Sequence, residues 1–209
     1  MTPNEQLPQS PAGRAPDPRK ERTRTAIVTG LSTLLRRGHS ESTVRDVVTE
    51  AGVSRAAFYT HFSGVDEVAL VVLREIFDEL REIHLSERRE LGQRTAASVR
   101  AGQERLADAF WQQRDLLRPL LEGSHSATAY MAIVRAFAKT IESIMCTELP
   151  RIPAGIDARL ASIAVANTLV GLLAAWVTGH IDVDRKTIVD HLVAMLPAWM
   201  SEPDLPTAH

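Results

Sequence analysis

The stretch Thr43-Val-Arg-Asp-Val-Val-Thr-Glu-Ala-Gly-Val-Ser-Arg-Ala-Ala-Phe-Tyr-Thr-His-Phe62 decides how this chain is read, because it spells two short helices joined by a glycine-centred turn. Thr43 is placed as an N-cap, and Val44, Val47, Val48 and Ala51 give the first helix an apolar face at helical spacing. Gly52 ends that helix, since a residue without a β-carbon takes positive φ freely, and Ser54 caps a second helix from Arg55 to about Phe62. Phe58 and Phe62 point this second helix inward. Arg55, Ala56, Tyr59 and Thr60 are left outward, a face of one cation, small residues, a phenol and a hydroxyl that suits base edges and phosphates. Two helices so joined have the shape that enters a DNA major groove.

Working outward, the order Ala51-Gly-Val-Ser54, then Phe58-Tyr59-x-His61-Phe62, then an Asp-containing start to another apolar helix, resembles the DNA-binding region of the TetR family of transcriptional regulators. The likeness covers about Arg24 to Leu80. It implies an all-α protein, with an N-terminal helix-turn-helix head on a helical ligand-binding and dimerisation body. By position it carries Thr43 and Tyr59 onto phosphate-contacting places. Arg45, Arg55, Ala56, Thr60 and His61 fall on places facing bases or their flanking backbone, beside the capping Ser54. Arg45 and Arg55 are the expected base readers, because a guanidinium donates two parallel bonds to guanine O6 and N7. Family members often carry a lysine at the start of the connecting helix. Ser63-Gly-Val-Asp-Glu67 instead places Val65 there, and Asp66 and Glu67 would repel a close phosphate.

Charge follows the same division. Residues up to Phe62 carry nine Lys or Arg against six Asp or Glu, and the remainder carries fifteen against twenty, so the basic end coincides with the DNA reader. Residues 1–18 hold five of the eleven prolines and few apolar side chains, the composition of a disordered tail. Arg14, Arg19, Lys20, Arg22 and Arg24 read either as a basic arm toward DNA or as the solvated start of the first helix. The single cysteine, Cys146, makes no internal disulfide, and no signal peptide or uninterrupted membrane-length apolar run is read, so a cytoplasmic protein without a membrane partner is expected.

Helical periodicity continues through the rest of the chain, with no competing strand pattern. Helices are expected over 22–37, stopped by Gly38, and over 65–89, ended by Gly92. Others are expected over 94–113, 115–122 with Pro119 bending or shortening it, 127–149, 157–179 and 184–200. This divides the chain into a tail (1–18), a DNA-binding domain (19–64), a ligand-binding and dimerisation domain (65–200) and a second tail (201–209). Leu160, Ile163, Val170 and Leu173 on one of the last two helices, and Ile188, Leu192, Met195, Leu196 and Trp199 on the other, are apolar on more than one side. Such helices need a second burial partner, which a two-fold copy supplies, and the resemblance likewise implies a homodimer through the last two helices.

Phe110, Trp111, Leu117, Leu121, Tyr130, Met131, Val134, Phe137, Asn167, Val170 and Trp176 are candidates to line an effector cavity, although aromatic residues at helical spacing also simply fill a core. Asn167 stands out, since an amide among apolar neighbours needs a partner. The apolar set fits a small hydrophobic effector. No Gly-rich phosphate loop or nucleophile elbow is present, so no enzyme and no cofactor are expected. None of His39, His61, His84, His125, His180, His191 and His209 pairs at i, i+4, which argues against a metal site. The resulting expectation is a ligand-responsive regulator, foremost a repressor, on a near-palindromic DNA operator. A helical carrier that binds an apolar molecule without reading DNA is the competing class.

Overall fold

The computed structural model describes residues 18–77, 95–147 and 152–201, and among them every regular element is a helix. The first, α1 (Pro18–Arg36), opens on a proline, whose missing N–H costs nothing in a first turn, and buries Ile27, Val28, Leu31, Leu34 and Leu35. Next come α2 (Val44–Ala51) and α3 (Arg55–His61), both packed on α1. The connecting helix α4 (Val65–Phe77) is bent from α3 by 59° and buries Val65, Val68, Ala69, Val72, Leu73 and Ile76. Its expected continuation toward residue 89, the tails at 1–17 and 202–209, Arg14, His84, Gly92 and His209 lie outside the described residues. Pro18, expected in the first tail, begins α1.

The body consists of α5 (Ala96–Gln112), α6 (Arg114–Glu122), α7 (Ser126–Thr147), α8 (Ala158–Val177), α9 (Arg185–Ala194) and α10 (Ala198–Ser201). Thr95, Asp157 and Asp184 cap α5, α8 and α9 by accepting from the backbone N–H three residues on. Pro119 is accommodated inside α6 rather than cutting it short, and it is buried. One expectation is corrected here. The single helix over 184–200 is two, α9 and α10, separated at Pro197, because a proline disfavours helical backbone in the residue before it and brings no N–H.

The α7 and α8 pair makes the most extensive helix contact. Although no membrane-length run was expected, α8 has the length and composition of one, with a mean hydropathy of 1.9. Its apolarity has a local explanation. Val165, Ala166, Leu169, Val170, Leu173 and Trp176 are buried in the core, while Leu160, Ile163, Ala164, Asn167 and Thr168 form an exposed second stripe.

Head and body meet where the chain has no room for a side chain. Gly123, after α6, lies against the α1–α2 loop so closely that a β-carbon would stand 2.1 Å from the Ser40 carbonyl oxygen. Beside it, His125 Nδ1 donates to Asp66 Oδ1 at 2.5 Å, tying the loop before α7 to the first turn of α4.

Candidate nucleic-acid interface

Local hydrogen bonds fix the two interface helices before any tertiary contact is counted. Thr43 Oγ1 accepts from the Asp46 N–H at 3.4 Å, and the Thr43 N–H donates to Asp46 Oδ2 at 2.9 Å, a reciprocal capping box. The Thr43 hydroxyl also donates to Asp46 Oδ2 at 2.6 Å. These bonds from the Thr43 side chain, then its backbone, hold the Asp46 carboxyl below its usual range. Gly52 closes α2 with φ +65°, and the Val53 N–H reaches the Val48 carbonyl at 3.1 Å, which satisfies the helix end and turns the chain sharply. Ser54 then accepts from the Ala57 N–H at 3.1 Å and starts α3.

Packing sets the roll of α3. Phe58 and Phe62 are 0% and 3% exposed, their rings 6.0 Å apart, and the Arg24 guanidinium lies 5.4 Å over the Phe62 ring. This anchoring turns Arg55, Ala56, Tyr59 and Thr60 outward and leaves His61 half-buried. Tyr59, at 54% exposure, makes an edge contact to Phe58, so its phenol projects from a fixed base. On α2, Arg45 is exposed on the side away from buried Val47 and Val48.

The arrangement separates groups that are free to bind from groups already engaged. Arg45 and Arg55 have no ion-pair partner among the described residues, and two exposed guanidinium groups are thereby displayed from adjacent helices. Both Thr43 donors are spent on Asp46, so a phosphate contact by Thr43 requires this cap to loosen. The Thr60 hydroxyl donates to the Ala56 carbonyl at 3.0 Å, while the Ser54 oxygen acts as an acceptor for the Ala57 N–H.

The start of α4 shows what replaces the missing lysine. Val65 is buried, and Glu67 Oε2 accepts from the Ser63 N–H at 2.7 Å and its hydroxyl at 2.9 Å. These bonds, the backbone one foremost, keep the Glu67 carboxyl below its ordinary value and therefore ionised. Asp66 is held by His125. Two carboxylates thus occupy the helix end where a phosphate would have approached. This cap was hard to foresee because Glu67 stands four residues after Ser63, one beyond the familiar capping-box spacing. Residues Arg19, Lys20, Arg22 and Arg24 belong to the first turns of α1, so any contact they make with DNA is made from a helix and not from an extended arm.

The proposed effector residues are dispersed. Phe110, Leu117, Val134 and Val170 are buried, and Phe137 lies edge-on to both Phe77 and Phe110 at 5.7 and 5.8 Å. Leu121 and Tyr130 are half-buried against the same core. Met131 is exposed on α7, and Asn167, on the exposed stripe of α8, satisfies its amide by donating to the Ile163 carbonyl at 2.9 Å. Of the set, Trp111 and Trp176 do line an open cleft of about 330 Å³. Among the described residues no group of three His, Cys, Asp or Glu side chains is placed to hold a metal ion.

Residues 27–72 match the family model described as bacterial regulatory proteins, tetR family. That span contains α2, the Gly52 turn and α3 in full. Among solved structures, the fold is similar to NalD, the secondary repressor of the MexAB-OprM multidrug efflux pump in Pseudomonas aeruginosa. The identity is 24%, over 84% of this chain and 94% of that one, with a TM-score of 0.56. It is also similar to FadR of Thermus thermophilus, a TetR-family transcriptional repressor solved in complex with lauroyl-CoA. There the identity is 19%, over 89% and 97% of the two chains, with a TM-score of 0.62. Regulators of this family are DNA-binding transcription factors and not enzymes.

Proposed function

We propose that this chain, whose residues 27–72 match the tetR family model, is a regulator of that family and acts as a ligand-responsive transcriptional repressor, a homodimer on a near-palindromic operator. The observation that carries the reading is the pair of exposed guanidinium groups of Arg45 and Arg55, with no ion-pair partner among the described residues, held out from two capped helices beside the phenol of Tyr59. Such rigidly mounted forks suit guanine O6 and N7, each good bidentate pair giving about 1–3 kcal/mol of discrimination. Ala56 offers a surface for a thymine methyl, and Tyr59, Ser54, Thr60, His61 and Thr43 frame the backbone contacts. The division at residues 19–64 and 65–200 is part of the same proposal.

Dimerisation rests on the second apolar stripe of α8, where Leu160 is 69% and Ile163 42% exposed, and on Met195, the C-cap of α9, which is 49% exposed. Large apolar side chains exposed in a row call for a partner, and a two-fold copy supplies one with no further component. Two recognition helices then address half-sites ~34–36 Å apart. A small hydrophobic effector that prefers the DNA-incompetent arrangement releases the dimer, and a coupling of ~1–3 kcal/mol weakens operator binding about 5- to 150-fold. The lauroyl-CoA bound by the Thermus protein supports an effector with a long apolar part. A cytoplasmic location follows from the DNA target.

The test is selection of genomic fragments by the purified full-length protein at physiological salt, followed by sizing of the complex. Enrichment of a palindrome bound by two chains is the expected result. Binding that is absent, or salt-sensitive and indifferent to sequence, would overturn the operator reading and leave the helical carrier.

A further inference from the structure

The cleft at the junction of head and body combines features that neither the DNA interface nor the apolar core explains. One wall is aromatic. Trp111 and Trp176 stack with centroids 4.6 Å apart and planes 28° from parallel, and the Trp176 indole N–H donates to the Val183 carbonyl at 3.0 Å, which fixes the inner ring. Trp111 remains 44% exposed, an unusual outlay of apolar surface for a side chain so well supported. The rim is cationic. Arg36, from the last turn of α1, faces the cleft with Arg114 and Arg118 of α6, against the single carboxylate of Asp115.

These cations are not equally engaged. Arg118 Nε donates to both oxygens of Glu122 at 3.2 Å, and Arg114 lies 5.1 Å over the Trp111 ring with its Nη1 bonded to the Trp111 carbonyl at 2.8 Å. Arg36 has no ion-pair partner among the described residues. The cleft, about 330 Å³, is within the range of small-molecule sites and large enough for a bicyclic aromatic ring. An apolar aromatic wall beneath an arginine rim is complementary to a flat ring that carries an acidic group. A carboxylate accepts two parallel bonds from a guanidinium, so it fits this rim better than a neutral polar group would.

We propose that this cleft is a binding site for an aromatic anion, with the ring against the Trp111–Trp176 wall and the acid held by Arg36 together with Arg118 or Arg114. Because Arg36 belongs to the head and Arg118 to the body, a ligand held by both bridges the two parts. The site uses Trp111 and Trp176 of the candidate effector set and none of its buried members Phe110, Leu117 and Val134, and its occupancy is measurable without DNA.

The experiment is calorimetric titration of the full-length protein with 2-naphthoate and with its neutral counterpart 2-naphthalenemethanol, repeated on Arg36→Gln and Trp111→Leu. Both substituted side chains are exposed, and thermal melts establish that the variants fold. Naphthoate is expected to bind once per chain, at least about tenfold tighter than the alcohol, with each substitution weakening it about tenfold or more. Arg36→Lys should recover part of the affinity, because it keeps the charge and loses the fork. Absence of naphthoate binding, equal affinity for acid and alcohol, or binding unchanged by both substitutions would overturn the proposal. The last of these outcomes would place the ligand elsewhere in the body.

Discussion

The α2–α3 surface of the head and the α5–α9 seam of the body both present arginines on helix surfaces, yet Arg45 and Arg55 of the first are used differently from Arg100 and Arg185 of the second. In the seam, Arg100 bonds Asp190 at 2.5 Å, Arg185 grips Asp108 through Nε and Nη2 at 2.5 and 2.7 Å, and Lys186 reaches Asp190 at 2.7 Å. Every one of these cations is matched by a carboxylate, and the Arg100–Asp190 and Arg185–Asp108 pairs join α5 to α9, helices distant in sequence. In the head, Arg37 does pair with Glu50 at 2.9 Å, but Arg45 and Arg55 have no ion-pair partner among the described residues, and the nearby carboxylates Asp46 and Glu67 are consumed by caps. A surface arginine is therefore informative only with its partners known. Where anions are diverted to backbone donors, the remaining cations face outward and address an external anion.

The hardest way to break the contrast is to remove the anchor of α3. Phe58→Ala deletes a ring that is 0% exposed and should cost about 3–5 kcal/mol, as should Phe110→Ala in the body, by loss of transfer energy and creation of a cavity. The two are expected to differ in consequence. Well below the melting temperature, Phe110→Ala should still bind operator, while Phe58→Ala should not, as read by urea melts and by DNA titration. Equal retention of binding by both would mean that α3 does not depend on its inward ring.

Next in size is the junction. Gly123→Ala places a β-carbon against backbone, 2.1 Å from the Ser40 oxygen and 2.9 Å from the Pro119 oxygen, so a loop must shift, at a cost of about 1–3 kcal/mol. Thermal melting should fall by several degrees, with faster amide exchange in the α1–α2 loop. An unchanged melt would show that the junction yields easily and that head and body are loosely joined.

The smallest effect sharpens the contrast from the side of the seam. The Lys186 ammonium, then the Arg100 guanidinium, hold the Asp190 carboxyl down at about 2. A carboxyl depressed in the folded state contributes stability above its ordinary value of 3.8, and that contribution is lost as pH falls through about 2. Asp190→Asn should therefore lower stability slightly at neutral pH and flatten its decline between about pH 4 and 2. Exposure and salt keep this effect modest. An identical acid profile for variant and parent would detach Asp190 from the seam.

The helix-turn-helix was legible from sequence because everything that builds it is local: Thr43 and Asp46, Gly52, Ser54 and the Phe58–Phe62 spacing all lie within one short window. The interruption at Pro197 was readable in principle, since the proline was in view, but the apolar pattern through Leu192, Met195, Leu196 and Trp199 continues across it and masks the break. Periodicity could not say which side of α8 is buried, as apolar residues occupy both. For the effector set the same ambiguity was larger. Met131 and Val134 are three residues apart on α7, yet one is exposed and the other is core. The junction was invisible because Arg36 and Trp111, or Gly123 and Ser40, are brought together only by the tertiary fold.

The most direct test of the account is titration of Arg55→Ala and the parent protein onto a selected operator and a scrambled duplex over a series of salt concentrations. Loss of a base-reading fork predicts about 5- to 150-fold weaker binding to the operator, with affinity for the scrambled duplex and its salt slope nearly unchanged. Equal weakening on both duplexes, with a shallower salt slope, would make Arg55 a phosphate contact. It would contradict the claim that Arg45 and Arg55 of the head read sequence.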